Sequence, residues 1–110
     1  MRMIRDDLVQ RISNFQDETL KYIAFKGNQY SPLDDALRNF TEGSAAVGLI
    51  PEQYLMALAE KHWHAMGQWV AGRRSYVEPA ELRERILDIV VYLSILRAMI
   101  DQEEEQGGKD

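Results

Sequence analysis

Residues 86–100 constrain the fold of this chain more than any other segment, because most of them are apolar. At about 100° per residue, the apolar side chains of this region fall into two stripes on different sides of one helix. The first stripe contains Leu82, Ile86, Ile89, Leu93 and Leu96, and the second contains Leu87, Val91 and Ile95. A helix that is apolar on more than one side is covered on more than one side. We therefore expect a helix that packs against neighbours in two directions.

Asp88 is the single charged residue between positions 86 and 96. It lies nearer the second stripe, with Glu84 one turn before it and Glu81 another turn earlier. An unpaired buried carboxylate is costly, so such a group normally has a cation, a metal ion or hydrogen-bond donors beside it. Asp88 is therefore the best single indication of a site, although it does not say which kind.

The composition is typical of one soluble globular domain, with 110 residues of which 45% are hydrophobic and 28% charged. No stretch reaches the roughly 20 apolar residues of a membrane span, and the first residues lack the apolar region of a signal peptide. There are no cysteines, which excludes disulfides and thiolate metal sites. We expect a cytoplasmic protein.

Most of the formal net charge of −5 belongs to residues 101–110, where five acids stand against Lys109 and give −4. We therefore expect residues 1–100 to form one nearly neutral helical domain, followed by an acidic, frayed tail. The basic residues form only two small clusters, Arg73 with Arg74 and Arg83 with Arg85. Binding to duplex nucleic acid is therefore not expected, although a ligand with a few phosphates remains possible.

Apolar residues spaced three and four apart predict helices over 3–26, 33–46, 51–71 and 79–105, and no segment alternates like a strand. Pro51 and Pro79 suit the first positions of the last two helices. The second helix closes at Gly43 or Gly48, and Gly72 ends the third. The predicted fold is an all-α, four-helix antiparallel bundle. Because the second stripe of the last helix needs cover, we also expect a homodimer.

Glu81, Glu84 and Asp88 follow one another at spacings of three and four, so they share one side of the last helix. Mutual repulsion of these carboxylates would be relieved by a divalent cation, and Mg²⁺ commonly joins one or two carboxylates to the phosphates of a substrate. The alternative is a structural salt bridge from a basic residue, for which the candidates are Lys61, Arg83 and Arg85.

His62 and His64 lie on the third helix, two residues apart, so their rings point about 200° away from each other. They are therefore poorly placed to bind one metal ion, and we expect one of them to be buried and hydrogen-bonded. Lys61 and His64, three residues apart, share a side that suits a phosphate or the Asp88 carboxylate.

A third polar cluster occupies residues 26–40, where Asn28, Tyr30 and Asn39 suit recognition of a base or ribose. The alternative is structural, because Asn28 favours a turn and Asp35 favours the start of a helix.

Four short motifs together resemble a known family. They are Lys26 with Tyr30, Asp35 with Asn39 and Phe40, Glu60 with Lys61 and His64, and Ile86 with Asp88 and Tyr92. Together they resemble small phage and prophage proteins of the nucleotide-modification-associated type. Those proteins look like the all-α nucleoside-triphosphate pyrophosphohydrolases, the MazG and dimeric dUTPase group.

The resemblance implies a helical, usually oligomeric protein of a bacterial host that handles nucleotides, with Mg²⁺ held by carboxylates of two helices. The metal ligands expected here are Glu60, Glu84 and Asp88, and the expected nucleotide-binding residues are Lys26, Asn28, Tyr30, Asn39, Lys61, His64 and Arg85. An active member would be a Mg²⁺-dependent nucleoside-triphosphate pyrophosphohydrolase. The family pattern has two acid pairs with a spacing of three, whereas Glu84 and Asp88 are four apart and Glu60 lacks a second acid. The catalytic carboxylate set is therefore incomplete.

Two classes of function follow from these patterns. The first is a nucleotide-binding protein, either weakly hydrolytic or without catalysis, and a sponge for signalling nucleotides would share its pocket. The second is a small phage-encoded interaction protein that inhibits or modulates a host enzyme or defence complex. In the second case the polar residues would satisfy one another, and an exposed apolar or charged patch would mark the partner surface.

Overall fold

The computed structural model describes residues 1–26, 35–72 and 78–107. It contains four helices, α1 (Arg5–Lys26), α2 (Arg38–Ala46), α3 (Pro51–Val70) and α4 (Pro79–Gly107), and no strand occurs within those ranges. The all-α prediction with four helices is confirmed. None of these helices is long and apolar enough to cross a membrane. The chain divides into two compact units, Met1–Arg38 and Asn39–Asp110.

The start of the second helix and the acidic tail differ from the sequence prediction. The predicted start of the second helix at residue 33 is wrong for residues 35–37, which form a turn before Arg38. Asp35 causes this, because its side chain accepts the Leu37 N–H at 3.3 Å and its carbonyl accepts the Arg38 N–H at 3.3 Å. In the acidic tail, α4 continues through Gly107, and Arg97 Nε donates a hydrogen bond to the Asp101 carboxylate at 3.2 Å. Residues 101–107 of the predicted frayed tail are therefore helical.

Two glycines end helices as backbone conformation requires. Gly48, with φ of 73°, follows α2, and Gly72, with φ of 95°, follows α3. Both values lie in the left-handed region that favours glycine. Of the two glycines proposed to close the second helix, Gly48 does so, whereas Gly43 lies inside α2.

The first unit consists of α1 and the residues around it, and local contacts support the helix. Asp7 and Arg11 form an ion pair at 3.1 Å one turn apart. The Thr19 hydroxyl donates to the Phe15 carbonyl at 2.9 Å. The apolar side chains of Leu8 and Ile12 are exposed.

In the second unit, α3 and α4 pack against each other as an antiparallel hairpin. His62 of α3 contacts Arg85 and Asp88 of α4. Ala65, further along α3, packs in a core cluster with Leu82, which lies earlier in α4. The two helices therefore run in opposite directions. Leu55 of α3 is the largest side chain that is fully buried in the described chain.

The apolar stripes of α4 are covered differently from the sequence interpretation. Leu87 and Val91 of the second stripe are buried, so the premise that this stripe lacks cover is wrong. Ile86 and Leu93 of the first stripe are exposed instead, at 38% and 51%. The helical period identified both stripes, but which residues are covered depends on the direction from which α3 approaches.

The short helix α2 packs onto the hairpin through aromatic rings. Phe40 meets Tyr92 of α4 edge-on, with ring centroids 6.4 Å apart. Gly43, one turn later, lies against the ring of Tyr54 on α3, where an added methyl group would overlap the ring. Glycine at position 43 therefore permits the close approach of α2 and α3.

We expect Gly43→Ala to lower the free energy of unfolding by about 1–3 kcal/mol, because the new methyl group forces Tyr54 to move. The matched control is Gly67→Ala in α3, where, among the described residues, no atom apart from the backbone of α3 itself lies within 4 Å of an added Cβ. That change is expected to stabilise by up to about 1 kcal/mol through helix propensity. Urea unfolding followed by circular dichroism measures both variants. Equal stabilisation by the two changes would contradict the packing of α2 against Tyr54.

Candidate functional site

One side of α3 forms a wall of an open cavity between α3 and α4. Its residues lie three and four positions apart, which places them on one helix face. The cavity has a volume of about 620 Å³ and is lined by Ala57, Glu60, Lys61, His64, Ala65 and, from α4, Arg85. The two alanines leave space between the longer polar side chains.

Positive charge exceeds negative charge in this lining, because Lys61 and Arg85 face one carboxylate, that of Glu60. Lys61 and His64 are exposed, whereas Arg85 is half-buried. Arg85 shares its charge with Glu81 of the preceding turn, through Nη2 and Oε1 at 2.9 Å. The structural salt bridge that the sequence offered as an alternative is thus present for Arg85. Over residues 35–72 and 78–107, Lys61 has no ion-pair partner.

His62 is the buried histidine of the pair, and His64 is exposed, as the spacing of two predicted. Arg85 Nη1 donates to His62 Nδ1 at 3.5 Å, so Nδ1 acts as an acceptor and the ring proton resides on Nε2. Nε2 lies 3.7 Å from Asp88 Oδ2. Tyr92 packs beside the ring, with centroids 6.1 Å apart. Arg85, His62 and Asp88 therefore form a chain of polar contacts across the hairpin.

Burial lowers the pKa of His62 below 6.5, because the charged ring would lose its hydration. Asp88 opposes this shift, whereas the positive charges of Lys61 and Arg85 add to it. A protonated ring would also place an Nδ1–H against the Arg85 guanidinium. His62 is therefore neutral at pH 7.

The lowered pKa of His62 makes stability depend on pH in a defined direction. Below about pH 6.5 the His62 ring binds a proton in the unfolded chain, whereas the folded protein resists that protonation. The free energy of unfolding is therefore highest above pH 6.5 and falls as the pH drops from there through the lower pKa of the folded state. The slope contributed by this one group stays below about 1.4 kcal/mol per pH unit, the limit for binding of one proton. Urea unfolding between pH 5 and 7.5 measures it, and His62→Gln should flatten the profile. An unchanged profile in His62→Gln would contradict the assignment.

One buried donor near the cavity lacks an acceptor. Arg85 Nε is buried and, in the part of the chain that the structure describes, has no hydrogen-bond partner. Leaving a charged donor unsatisfied costs free energy, and an anionic ligand in the cavity would offer acceptor oxygens to the same guanidinium.

The structure brings together four of the residues that the sequence assigned to a site, namely Glu60, Lys61, His64 and Arg85. Asp88 does not line the cavity but connects to it through His62 and Arg85. Asn39, in α2, does not line it either, and Lys26 is the last residue of α1. Asn28 and Tyr30 lie outside the described residues.

The expected Mg²⁺ ligands do not form a ligand set. Among the described residues, no group of three His, Asp or Glu side chains is placed to hold a metal ion. Glu60 lines the cavity and Glu84 is exposed on α4. Asp88 faces His62 rather than a second carboxylate. Glu60, Glu84 and Asp88 are therefore not brought together as one set of metal ligands.

Two features of the site were missed from the sequence. Asp88 was expected beside Lys61 or His64, but its neighbour is His62, because His62 is buried against α4 whereas His64 is exposed. The role of Ala57 and Ala65 as cavity walls was also missed, although their spacing of four residues on either side of Lys61 carried the signal.

The chain matches no protein-family model, no curated protein and no solved structure, so the geometry of the cavity is what bears on its function.

Proposed function

We propose that the protein binds a nucleotide, with the phosphates held in the cavity between α3 and α4. The observation that carries the proposal is the convergence of Lys61, His64 and Arg85 on one cavity. A guanidinium and an ammonium group are the side chains that most often bind phosphate oxygens. His64 adds a ring nitrogen that donates a hydrogen bond in either tautomer when turned towards an oxygen.

The size and the shape of the cavity support a ligand larger than one inorganic anion. Its volume of about 620 Å³ lies within the range of about 300–1,000 Å³ typical of small-molecule sites. Ala57 and Ala65 provide an apolar wall next to the cations, which suits a base or sugar beside the phosphates. Glu60, at the same cavity, is an acceptor for sugar hydroxyls or for the exocyclic amine of a base.

The proposal is binding without cleavage. Hydrolysis between phosphates in the pyrophosphohydrolases that the sequence resembles depends on carboxylate-held Mg²⁺ to stabilise the developing negative charge. The carboxylates described here are otherwise engaged or dispersed, since Glu81 pairs with Arg85 and Asp88 faces His62. A nucleotide sponge is therefore a closer description than a pyrophosphohydrolase.

The test is isothermal titration calorimetry of the wild-type protein with the common ribonucleoside and deoxyribonucleoside triphosphates, with and without Mg²⁺. Inorganic tripolyphosphate serves as the control that separates recognition of phosphates from recognition of the base. We expect binding of at least one nucleotide, tighter than tripolyphosphate, and no release of pyrophosphate in a parallel assay. Pyrophosphate release would instead support the hydrolase.

A second candidate function is that of an interaction protein acting on a host enzyme or defence complex. Two observations favour it, namely the internal pairing of Arg85 with Glu81 and of His62 with Asp88, and the exposed apolar side chains of α3 and α4. Both features were expected of an interaction protein: polar residues that satisfy one another and an exposed patch for the partner. Absence of binding to every nucleotide in the panel would leave this candidate in place of the first.

We further propose that the four helices form an antiparallel bundle and that the chain is a homodimer acting in the cytoplasm, where nucleotides are available. Support for the dimer comes from α4, in which large apolar side chains such as Leu93 and Ile100 remain about half exposed. Apolar surface of this kind on a small domain is typical of an interface.

A further inference from the structure

Exposed apolar side chains recur every seven residues on both helices of the hairpin. The exposed positions of α3 are Met56, Trp63 and Val70, and those of α4 are Ile86, Leu93 and Ile100. A spacing of seven keeps side chains on one side of a helix and is the repeat by which helices pair in coiled coils. Two such series on adjacent helices indicate more than scattered surface residues.

Both series lie on the same side of the hairpin. Trp63 directly follows His62, which faces α4, and Leu93 directly follows Tyr92, whose ring lies beside His62. Each exposed residue is therefore turned by about 100° in the same rotational sense from the contact between the helices. In two antiparallel helices, equal turns in the same sense lead to the same side of the pair.

The register of the hairpin aligns the two series into rows. The contacts of His62 with Arg85 and Asp88 fix which residues are level with each other. In that register Trp63 lies level with Ile86, and Met56 lies level with Leu93. Side chains from both helices therefore form a continuous surface, here called the apolar face, made of Met56, Trp63, Val70, Ile86, Leu93 and Ile100.

We propose that the apolar face packs against the same face of a second copy, so that two hairpins form a four-helix interface. This assignment rests on the proposed homodimer and names the surface that forms it. A face with seven-residue repeats on both helices is complementary to itself, as the two-fold symmetry of a dimer requires.

The area of the apolar face is sufficient for a dimer. Its large side chains are roughly half exposed, and six of them together present on the order of 600 Å² of surface. A stable interface buries about 800 Å² per partner, including its polar rim. The largest apolar patch of a typical monomer is about 300–600 Å², so this face is at the upper end of what a monomer exposes.

Dimerisation through this face leaves the cavity open. Lys61 precedes Trp63 by two residues, which places it about 200° away around α3. The cavity and the apolar face are therefore on different sides of the hairpin, and a variant that prevents pairing should still bind nucleotide. This separation lets the two proposals fail independently.

The experiment is sedimentation equilibrium of the wild type, Leu93→Glu, Trp63→Glu and Leu20→Glu. Leu20 is the matched control because it is 66% exposed and lies on α1, outside the apolar face. We expect a wild-type dimer, a dimer in Leu20→Glu, and a dissociation constant raised by at least about 100-fold in the two apolar-face variants. Far-UV circular dichroism should show that all four chains remain helical.

Two outcomes would overturn the proposal, and they are distinguishable. A monomeric wild type removes both the homodimer and the apolar-face interface, and leaves the face to another segment of the chain or to a different protein. A wild-type dimer that persists in Leu93→Glu or in Trp63→Glu keeps the homodimer but removes this surface. If one of these variants loses its helical structure, the other variant and the mass of the wild type decide the outcome.

Discussion

Leu55→Ala is expected to lower the free energy of unfolding by about 2–5 kcal/mol, which is a large part of the stability of a small domain. Leu55 is completely buried on α3. Truncation removes the transfer free energy of the side chain and leaves a cavity that the surrounding helices fill only in part. The loss should appear in urea unfolding followed by circular dichroism, as a lower midpoint with an unchanged slope.

The matched control is Leu20→Ala, which makes the same chemical change at a site that is 66% exposed. The free energy of unfolding is expected to change there by no more than about 0.5 kcal/mol, because little of the removed side chain is in contact with other residues. A similar small effect for Leu55→Ala would mean that Leu55 does not lie in the core of the second unit.

Lys61→Glu is expected to weaken nucleotide binding at least about ten-fold, equivalent to about 1.4 kcal/mol. The substitution replaces a cation of the cavity lining with a second carboxylate beside Glu60, so phosphates are repelled. Because Lys61 is exposed and has no ion pair among the described residues, the fold should be unaffected. Calorimetry with the nucleotide that the wild type binds best measures the loss.

The control for this variant is Lys21→Glu, an exposed position on α1 that makes the identical change in net charge. Binding by Lys21→Glu should match the wild type within about two-fold, since the charge of the whole protein acts weakly through salt solution. If both lysine variants lost affinity equally, the effect would arise from net charge and the cavity would not be the site.

Much of the fold follows from local sequence, as Pro51 and Gly72 illustrate. Both sit where a helix begins or ends because of backbone geometry that the residue type alone determines. The start of α2 was missed because the Asp35 side chain holds the next residues in a turn. The end of α4 at Gly107 lies two residues beyond the predicted end at residue 105, and the pairing of Asp101 with Arg97 supports the helix in this acidic region.

The candidate site was predictable to the extent that it lies on one helix. Spacing alone put Lys61 and His64 on a common side and separated His62 from them. The partner of Asp88 and the exposure of Ile86 were not predictable, because they depend on the register and direction of the contact between α3 and α4. A single sequence specifies which residues share a helix face, but not which face of the next helix they meet.

The most direct test of the central claim is calorimetric titration of the wild-type protein with the nucleotide panel, repeated with tripolyphosphate and with Mg²⁺. We predict saturable binding of at least one nucleoside triphosphate in the absence of Mg²⁺, because Lys61, His64 and Arg85 supply the contacts to the phosphates. The same titration of Lys61→Glu should show the affinity lost. Absence of heat with every nucleotide, by a protein shown to be folded, would contradict the account.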